Sequence, residues 1–218
     1  MVENWKSILA AAAPDIGFAF GRGDVLVRQS GKGIDWTIGI KVGKRPGLRL
    51  LPACGVRESE AEALAWAVWN TLRPAHAPQI SNSVIVSVDA DRWFQADRYR
   101  GPLLNWYEAE QTSIEPVIRT MLHEIWRLGQ PVWERFSTPA SMHELLLHPR
   151  DPFPTWGFSN GIAVAALFMR LAEKVGARRE DALLTLQNRW EFVVATSGVR
   201  DLTLHTLLTA YDQVRSHP

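Results

Sequence analysis

The stretch "VLVRQSGKGIDWTIGIKV", residues 25–42, decides the fold, because it has the pattern of two β-strands joined by a tight turn. From Trp36 to Val42, apolar side chains alternate with Thr37, Gly39 and Lys41, which is the period of two expected of a half-buried strand. Before the turn, a strand would place Val25, Val27 and Gln29 on one face and Leu26 and Arg28 on the other. We therefore predict an antiparallel β-hairpin over this stretch.

The turn of this hairpin, Gly31-Lys32-Gly33, also has the composition of a phosphate-binding loop. A Walker-type loop has the pattern G-x-x-x-x-G-K-[ST] and leads from a strand into a helix. Here neither serine nor threonine follows Lys32, and the segment after it has the pattern of a strand. The glycines are better explained by the positive φ angles of a hairpin turn.

Further elements are predicted on both sides of the hairpin. A helix over residues 3–13 is ended by Pro14, and a strand over residues 47–57 contains Pro52, which a sheet tolerates best at its edge. A helix over 58–72 precedes a fourth strand within 82–93, and residues 95–110 are interpreted as a connection.

The second half of the chain has helical periodicity throughout. A capping box at Thr112 and Glu115 begins a helix that Gly129 to Pro131 is expected to break, and Thr138-Pro139 begins the next. Residues 160–175 are apolar nearly all round, which predicts a central helix ended by Gly176. A helix over about 178–196 follows, and Asp201 is expected to cap the last one.

This order of elements predicts an α+β fold. It consists of a short antiparallel β-meander of about four strands with an N-terminal helix, followed by a C-terminal helical subdomain. We expect residues 1–110 to hold the sheet with its flanking helices and residues 111–218 to form the helical subdomain packed on it, as one compact unit.

Composition indicates an ordinary globular protein. The hydrophobic fraction is 46% and the net charge is +1, which excludes a largely disordered chain. The lone cysteine, Cys54, cannot form an internal disulfide, so a reducing compartment and a cytoplasmic location are predicted. Its apolar neighbours favour a buried inert thiol over a nucleophile. No segment reaches the roughly 18 consecutive apolar residues of a membrane span.

The chain is rich in tryptophan, with ten in 218 residues and no fixed period between them. Each indole buries a large area, so we expect most of them in the core. Tryptophan is also favoured at binding hot spots, so a few are expected to face a partner.

Motifs that carry chemistry are sparse. His143 and His148 are five residues apart, whereas zincins need histidines four apart, and there is no G-x-S-x-G elbow. Asp89 and Asp91 follow the fourth strand, where paired aspartates either hold Mg²⁺ or Mn²⁺ or simply turn the backbone. The turn is the preferred interpretation, and no metal, cofactor or catalytic residue is predicted.

Charge is unevenly distributed along the chain. Residues 1–57 carry nine Lys or Arg against four Asp or Glu, and residues 58–110 carry four against eight. The positive excess peaks around the loop after the hairpin, at Lys41, Lys44, Arg45 and Arg49. These four residues are the candidate partner-binding residues, for an acidic protein surface or for nucleic acid. Edge lysines that discourage aggregation are the simpler alternative.

Two stretches carry a resemblance to a known group of proteins. "FAFGRGDVLVRQSGKGIDWTIGIKV" precedes "LPACGVR", and "GQPVWERFSTPASMHELL" places Trp-Glu-Arg-Phe before a capped helix. Together they resemble small bacterial α+β domains of unknown function, some of which occur among polymorphic-toxin immunity proteins. The resemblance covers about the first 150 residues and implies a fold, with no catalytic residue.

The function expected from these observations is non-catalytic binding of a protein partner, such as the inhibition of a toxin by an immunity protein. Two alternatives stay open. One is a metal-dependent enzyme that uses Asp89 and Asp91, and the other is a nucleic-acid-binding module that uses the basic residues at 41–49.

Overall fold

The structure is a computed structural model that describes residues 4–21, 25–30, 33–43, 48–77, 86–89, 107–109, 114–148 and 160–217. Its strands are β1 Ala19–Phe20, β2 Val25–Gln29, β3 Asp35–Val42, β4 Leu48–Arg57, β5 Val86–Asp89 and β6 Tyr107–Ala109. Its helices are α1 Asn4–Ala12, α2 Ser59–Leu72, α3 Ile114–Arg135, α4 Pro139–Leu147, α5 Gly161–Lys174, α6 Arg179–Asn188, α7 Trp190–Ser197 and α8 Leu204–Ser216. A 3-10 turn, Ala13–Ile16, follows α1.

These elements confirm the α+β prediction, with an N-terminal helix, an antiparallel sheet and a mostly helical C-terminal region. The chain groups into two compact units. Unit one consists of Met1–Val56 and Val86–Ser137, and unit two consists of Arg57–Ile85 and Thr138–Pro218. The division of the chain at residue 110 stays a prediction.

The predicted hairpin lies in unit one. Strands β2 and β3 pair antiparallel, with Val25 opposite Gly39 and Gln29 opposite Asp35. Gly33 has a φ of +78°, as the turn requires, while Gly31 and Lys32 lie outside the described residues. The described strands follow the order β1-β2-β3-β4-β5, and β6 also pairs with β4.

Strand β4 lies inside this sheet and not at its edge, although it contains Pro52. The ladder to β6 covers Leu48–Leu50, and the ladder to β5 covers Ala53–Val56. Pro52 falls between these two ladders, where its missing N–H removes no hydrogen bond from either.

Helix α3 continues through Gly129 and Pro131 to Arg135, so the predicted break there is wrong. The reason is tertiary packing. Trp133 lies beyond the proline, is fully buried, and donates its indole N–H to the carbonyl of Gly55 at 3.0 Å. This anchor in β4 holds the last turn of α3 in place against the local preference of Gly and Pro.

Unit two is built around α5, as its sequence predicts. Residues Gly161–Met169 are all buried, and α5 packs against α2, α4, α6 and α7. Thr138 caps α4 in a capping box with Ser141, and Gly176 takes a φ of +71° after α5.

Three other expectations need correction. The helix over 178–196 is interrupted at Arg189, and α8 is capped by the Thr203 side chain and not by Asp201, which has a φ of +56°. Within the predicted connection over 95–110, residues Tyr107–Ala109 form strand β6. That strand is three residues long, too short to leave a visible alternation in the sequence.

Candidate functional site

The candidate site residues from the sequence are only partly covered by the structure. Lys44, Arg45 and Asp91 lie outside the described residues. Lys41 lies in β3 and Asp89 ends β5. Arg49 lies in β4, is half-buried, and is the register partner of Glu108 in β6. The proposed roles of these residues in partner or metal binding therefore stay predictions.

Cys54 is a packing residue. Its side chain is 2% exposed, and burial raises the pKa of its thiol far above the usual range. The neutral thiol is therefore the stable form, and a neutral thiol is a poor nucleophile. Its sulfur lies beside Gly129 of α3.

Among the residues that the structure describes, no group of three or more His, Cys, Asp or Glu side chains is placed to hold a metal ion. The described helices also include none that is both long and apolar enough to cross a membrane.

A cluster of four aromatic rings in unit one forms the most distinctive feature of the described residues. We call Phe18, Trp36, Trp126 and Trp133 the aromatic cluster. Trp133 stacks on Trp36 with centroids 5.6 Å apart and an interplanar angle of 9°, and it lies 5.7 Å from Trp126. Phe18 contacts Trp126 edge-on at 6.1 Å and Trp133 at 5.4 Å.

The positions of these rings follow from the sheet register and the helix period. Arg28 lies opposite Trp36 in the β2–β3 ladder, and Ala19 lies opposite Val27, so Phe18 falls next to Arg28 across the strands. Trp126 and Trp133 are seven residues apart, which places them on the same face of α3. Phe18, Arg28 and Trp36 therefore form a row across neighbouring strands. Trp126 and Trp133 of α3 pack on this row.

Arg28 lies against Trp36 and Trp126, the two half-buried rings of this cluster. Its Cζ lies 5.2 Å from the centroid of Trp36 and 4.8 Å from that of Trp126, and those two centroids are 6.2 Å apart. These three distances form an acute triangle, so the guanidinium lies in the corner between two rings and is not enclosed between parallel faces. Both contacts have the geometry of cation–π interactions.

A third side of the Arg28 guanidinium is bounded by backbone. Gly17 has a φ of +76°, and a Cβ at this position would lie 3.4 Å from the Nη1 atom of Arg28. Gly17 ends the 3-10 turn, and the nearby Asp15 accepts from Arg119 of α3 at 2.8 Å. The guanidinium is therefore held by Trp36, Trp126 and the chain at Gly17.

Arg28 has no hydrogen bond or ion pair with any described residue. Its nitrogens are also not among the fully buried ones that lack a partner, so they keep some contact with water. The side chain is half-buried. By contrast, the indole N–H of Trp36 is buried and has no acceptor among the described residues.

Trp36 and Trp126 are half-buried, whereas Trp133 and Phe18 are buried. Phe20, two residues after Phe18 in β1, is 36% exposed. Arg28, Trp36 and Trp126 are therefore each partly exposed, and Phe20 on the neighbouring strand is exposed. This arrangement has the composition of a binding hot spot, where tryptophan and arginine are enriched.

Arg28, Trp36 and Trp126 were not predicted from the sequence as site residues. The alternation in residues 25–42 places Arg28 and Trp36 on strands, but it does not give their register. The i, i+7 spacing of Trp126 and Trp133 was a usable signal, and the predicted helix break at Gly129 concealed it.

Comparison with protein-family models, with curated proteins and with solved structures finds no match to this chain.

Proposed function

We propose that this protein is a non-catalytic binding protein that captures a protein partner through the surface formed by Phe20, Arg28, Trp36 and Trp126. The observation that carries the proposal is the Arg28 guanidinium, which two indole rings orient and which has no anion partner among the described residues.

The physical support for this proposal is preorganisation. Trp133 is fully buried and hydrogen-bonded to Gly55, and its ring contacts those of both Trp36 and Trp126. Side chains that are already fixed lose little conformational entropy on binding, and that entropy is a main part of what association costs. A partner therefore meets a rigid aromatic surface with a fixed charge.

The partner proposed is a toxin, which the protein inhibits as immunity proteins do. Inhibition by occupation needs tight, stoichiometric binding and no chemistry, and rigid tryptophan and arginine side chains suit that task. We place the protein in the cytoplasm, where a lone thiol such as Cys54 stays reduced.

The experiment that tests the proposal starts with the tagged full-length chain in its native host. Captured proteins are identified by mass spectrometry, and each candidate is then purified and titrated with the chain by calorimetry. We expect a 1:1 complex, and we expect a toxin's activity to fall to zero at one equivalent of the chain. Trp126→Phe, which replaces the indole with a smaller phenyl ring, is expected to weaken the complex.

The control is Arg178→Gln, because Arg178 is an exposed arginine of unit two that is already paired with Glu180. It is expected to bind the partner as the wild type does. Turnover of any captured protein or small molecule by catalytic amounts of the chain would contradict the proposal. Equal binding by wild type and Trp126→Phe would place the interface elsewhere.

A further inference from the structure

Resting on the proposed function, we propose that Arg28 binds a side-chain carboxylate, from an Asp or Glu on the surface of the protein partner. The site has a shape and a charge that select this group.

The shape follows from how the guanidinium is held. Trp36 and Trp126 contact it at 5.2 and 4.8 Å from their centroids and form a corner, and Gly17 flanks the Nη1 atom. The N–H groups of Arg28 keep contact with water. A planar fork of N–H donors, held in one orientation, matches the two oxygens of a carboxylate in a bidentate pair.

The charge of the site favours a carboxylate over a phosphate group. Arg28 contributes one positive charge, the groups that contact it, Trp36, Trp126 and Gly17, are neutral, and the nearby Asp15 is paired with Arg119. A carboxylate carries one negative charge, whereas a phosphate monoester carries about 1.5 to 2 at neutral pH and is commonly bound by several cations. One guanidinium therefore balances a carboxylate and leaves a phosphate under-compensated.

The surroundings strengthen such a pair. Exposed ion pairs contribute little, because water screens them and their side chains must be ordered. Here the indoles already order the arginine, and a partner that covers Phe20 and the two indoles excludes water from the pair. In that less polar environment the Coulomb attraction is several times larger.

The test uses the full-length chain and a capped hexaglutamate peptide as the probe, with a capped hexaglutamine peptide as the neutral comparison. Binding is followed by intrinsic tryptophan fluorescence, because two indoles contact the guanidinium. We expect a saturable change with hexaglutamate and none with hexaglutamine. Arg28→Gln is expected to weaken hexaglutamate binding by at least about tenfold. Arg178→Gln, which removes the same charge from an exposed pair in unit two, is expected to leave it unchanged.

Arg28→Lys keeps the charge but lacks the planar fork, so it is expected to bind hexaglutamate with an affinity between those of wild type and Arg28→Gln. Circular dichroism and the thermal midpoint check that both variants fold. If Arg28→Gln does not fold, the comparison is made between wild type and Arg28→Lys. Lack of a saturable response in the wild type would overturn the inference. So would full binding by Arg28→Gln, or displacement of hexaglutamate by inorganic phosphate at equal concentration.

The two experiments distinguish a wrong carboxylate site from a wrong proposed function. If a purified partner forms a 1:1 complex that Arg28→Gln leaves intact, the carboxylate site is wrong and protein capture stands. If hexaglutamate binds at Arg28 but no protein forms a stoichiometric complex, the site stands as an anion site and the proposed function is wrong.

Discussion

Gly129 is placed where a larger side chain has no room. A Cβ at this position would lie 2.8 Å from the Sγ of Cys54 and 2.8 Å from the Cη2 of Trp133. Both neighbours are buried, and Trp133 is fixed by its hydrogen bond to Gly55. Glycine here permits the close approach of α3 to β4 that supports the aromatic cluster.

We expect Gly129→Ala to lower the free energy of unfolding by about 1 to 2 kcal/mol. Overpacking of a rigid core costs roughly 1 to 3 kcal/mol, and the better helix propensity of alanine returns up to about 1 kcal/mol. Urea denaturation followed by tryptophan fluorescence measures the change. The control is Gly39→Ala, since a Cβ at Gly39 would have no atom within 4 Å. An equal loss of stability in both variants would show that space at Gly129 is not the cause.

His143 is buried in surroundings that disfavour the protonated form of its imidazole. It is 8% exposed, it stacks on Phe168 at 5.1 Å with an angle of 10°, and its Nε2 has no hydrogen-bond partner among the described residues. Burial lowers the pKa of His143 below the ordinary 6.5. The folded state therefore holds the neutral form at pH values where the unfolded chain already binds a proton.

The sign of the pH dependence follows from this difference. Below pH 6.5 the unfolded state binds more protons at His143 than the folded state does, so stability falls as the pH is lowered toward the folded pKa. We expect urea midpoints of the wild type to decrease from pH 7 to pH 5 more steeply than those of His143→Gln. His205→Gln, which changes an exposed histidine, is the control. Parallel curves for wild type and His143→Gln would contradict the expectation.

Lys174 joins the start of α2 to the end of α5 through two ion pairs. Its Nζ donates to Glu58 at 2.6 Å and to Glu60 at 2.7 Å, and the Glu58 side chain is only 7% exposed. Glu58 also caps α2 by accepting from the backbone N–H of Ala61. One lysine thus neutralises a buried carboxylate that the helix needs for its cap.

We expect Lys174→Met to destabilise the protein by about 2 to 3 kcal/mol. Removing one partner of a buried pair commonly costs about 3 to 5 kcal/mol, and the effect is smaller here because Lys174 is partly exposed and the cap survives. Adding Glu58→Gln is expected to recover part of the loss, because the stranded charge is then gone. Arg178→Ala, in an exposed pair with Glu180, is expected to change stability by less than about 0.5 kcal/mol. Thermal denaturation of the wild type, the two single variants and the double variant measures these changes. Equal losses of stability for Lys174→Met and Arg178→Ala would contradict the role given to Lys174.

Elements with strong local signals were predictable from the sequence. The alternation in residues 25–42 predicts the hairpin, and Thr138-Pro139 and Gly176 mark helix ends that the structure confirms. The path of α3 was not predictable, because Gly129 and Pro131 are local helix breakers and the contact that overrides them is to Gly55, far away in the chain. The candidate site was hidden for the same reason, since Arg28 and Trp126 come together only through tertiary packing.

The chain passes between the two units three times, after Val56, Ile85 and Ser137. Helix α2 therefore lies among the sheet strands in sequence but packs on α5 and α8, which come much later in the chain. It buries Trp66 and Trp69, each 5% exposed, in unit two. Neither unit is thus a contiguous segment of the sequence.

This connectivity predicts how the chain responds to cutting between Ser137 and Thr138. Fragment 1–137 retains α2 without α5 and α8, and fragment 138–218 retains α5 without α2. Each fragment exposes a large apolar face, so we expect each alone to bind the dye ANS. Fragment 138–218, which lacks the α2 part of unit two, is also expected to melt without a sharp transition. Co-expression of the two fragments is expected to restore the sharp transition of the intact chain, because α2 then meets α5 again. A cooperative melting curve for fragment 138–218 alone would show that α2 is dispensable to unit two.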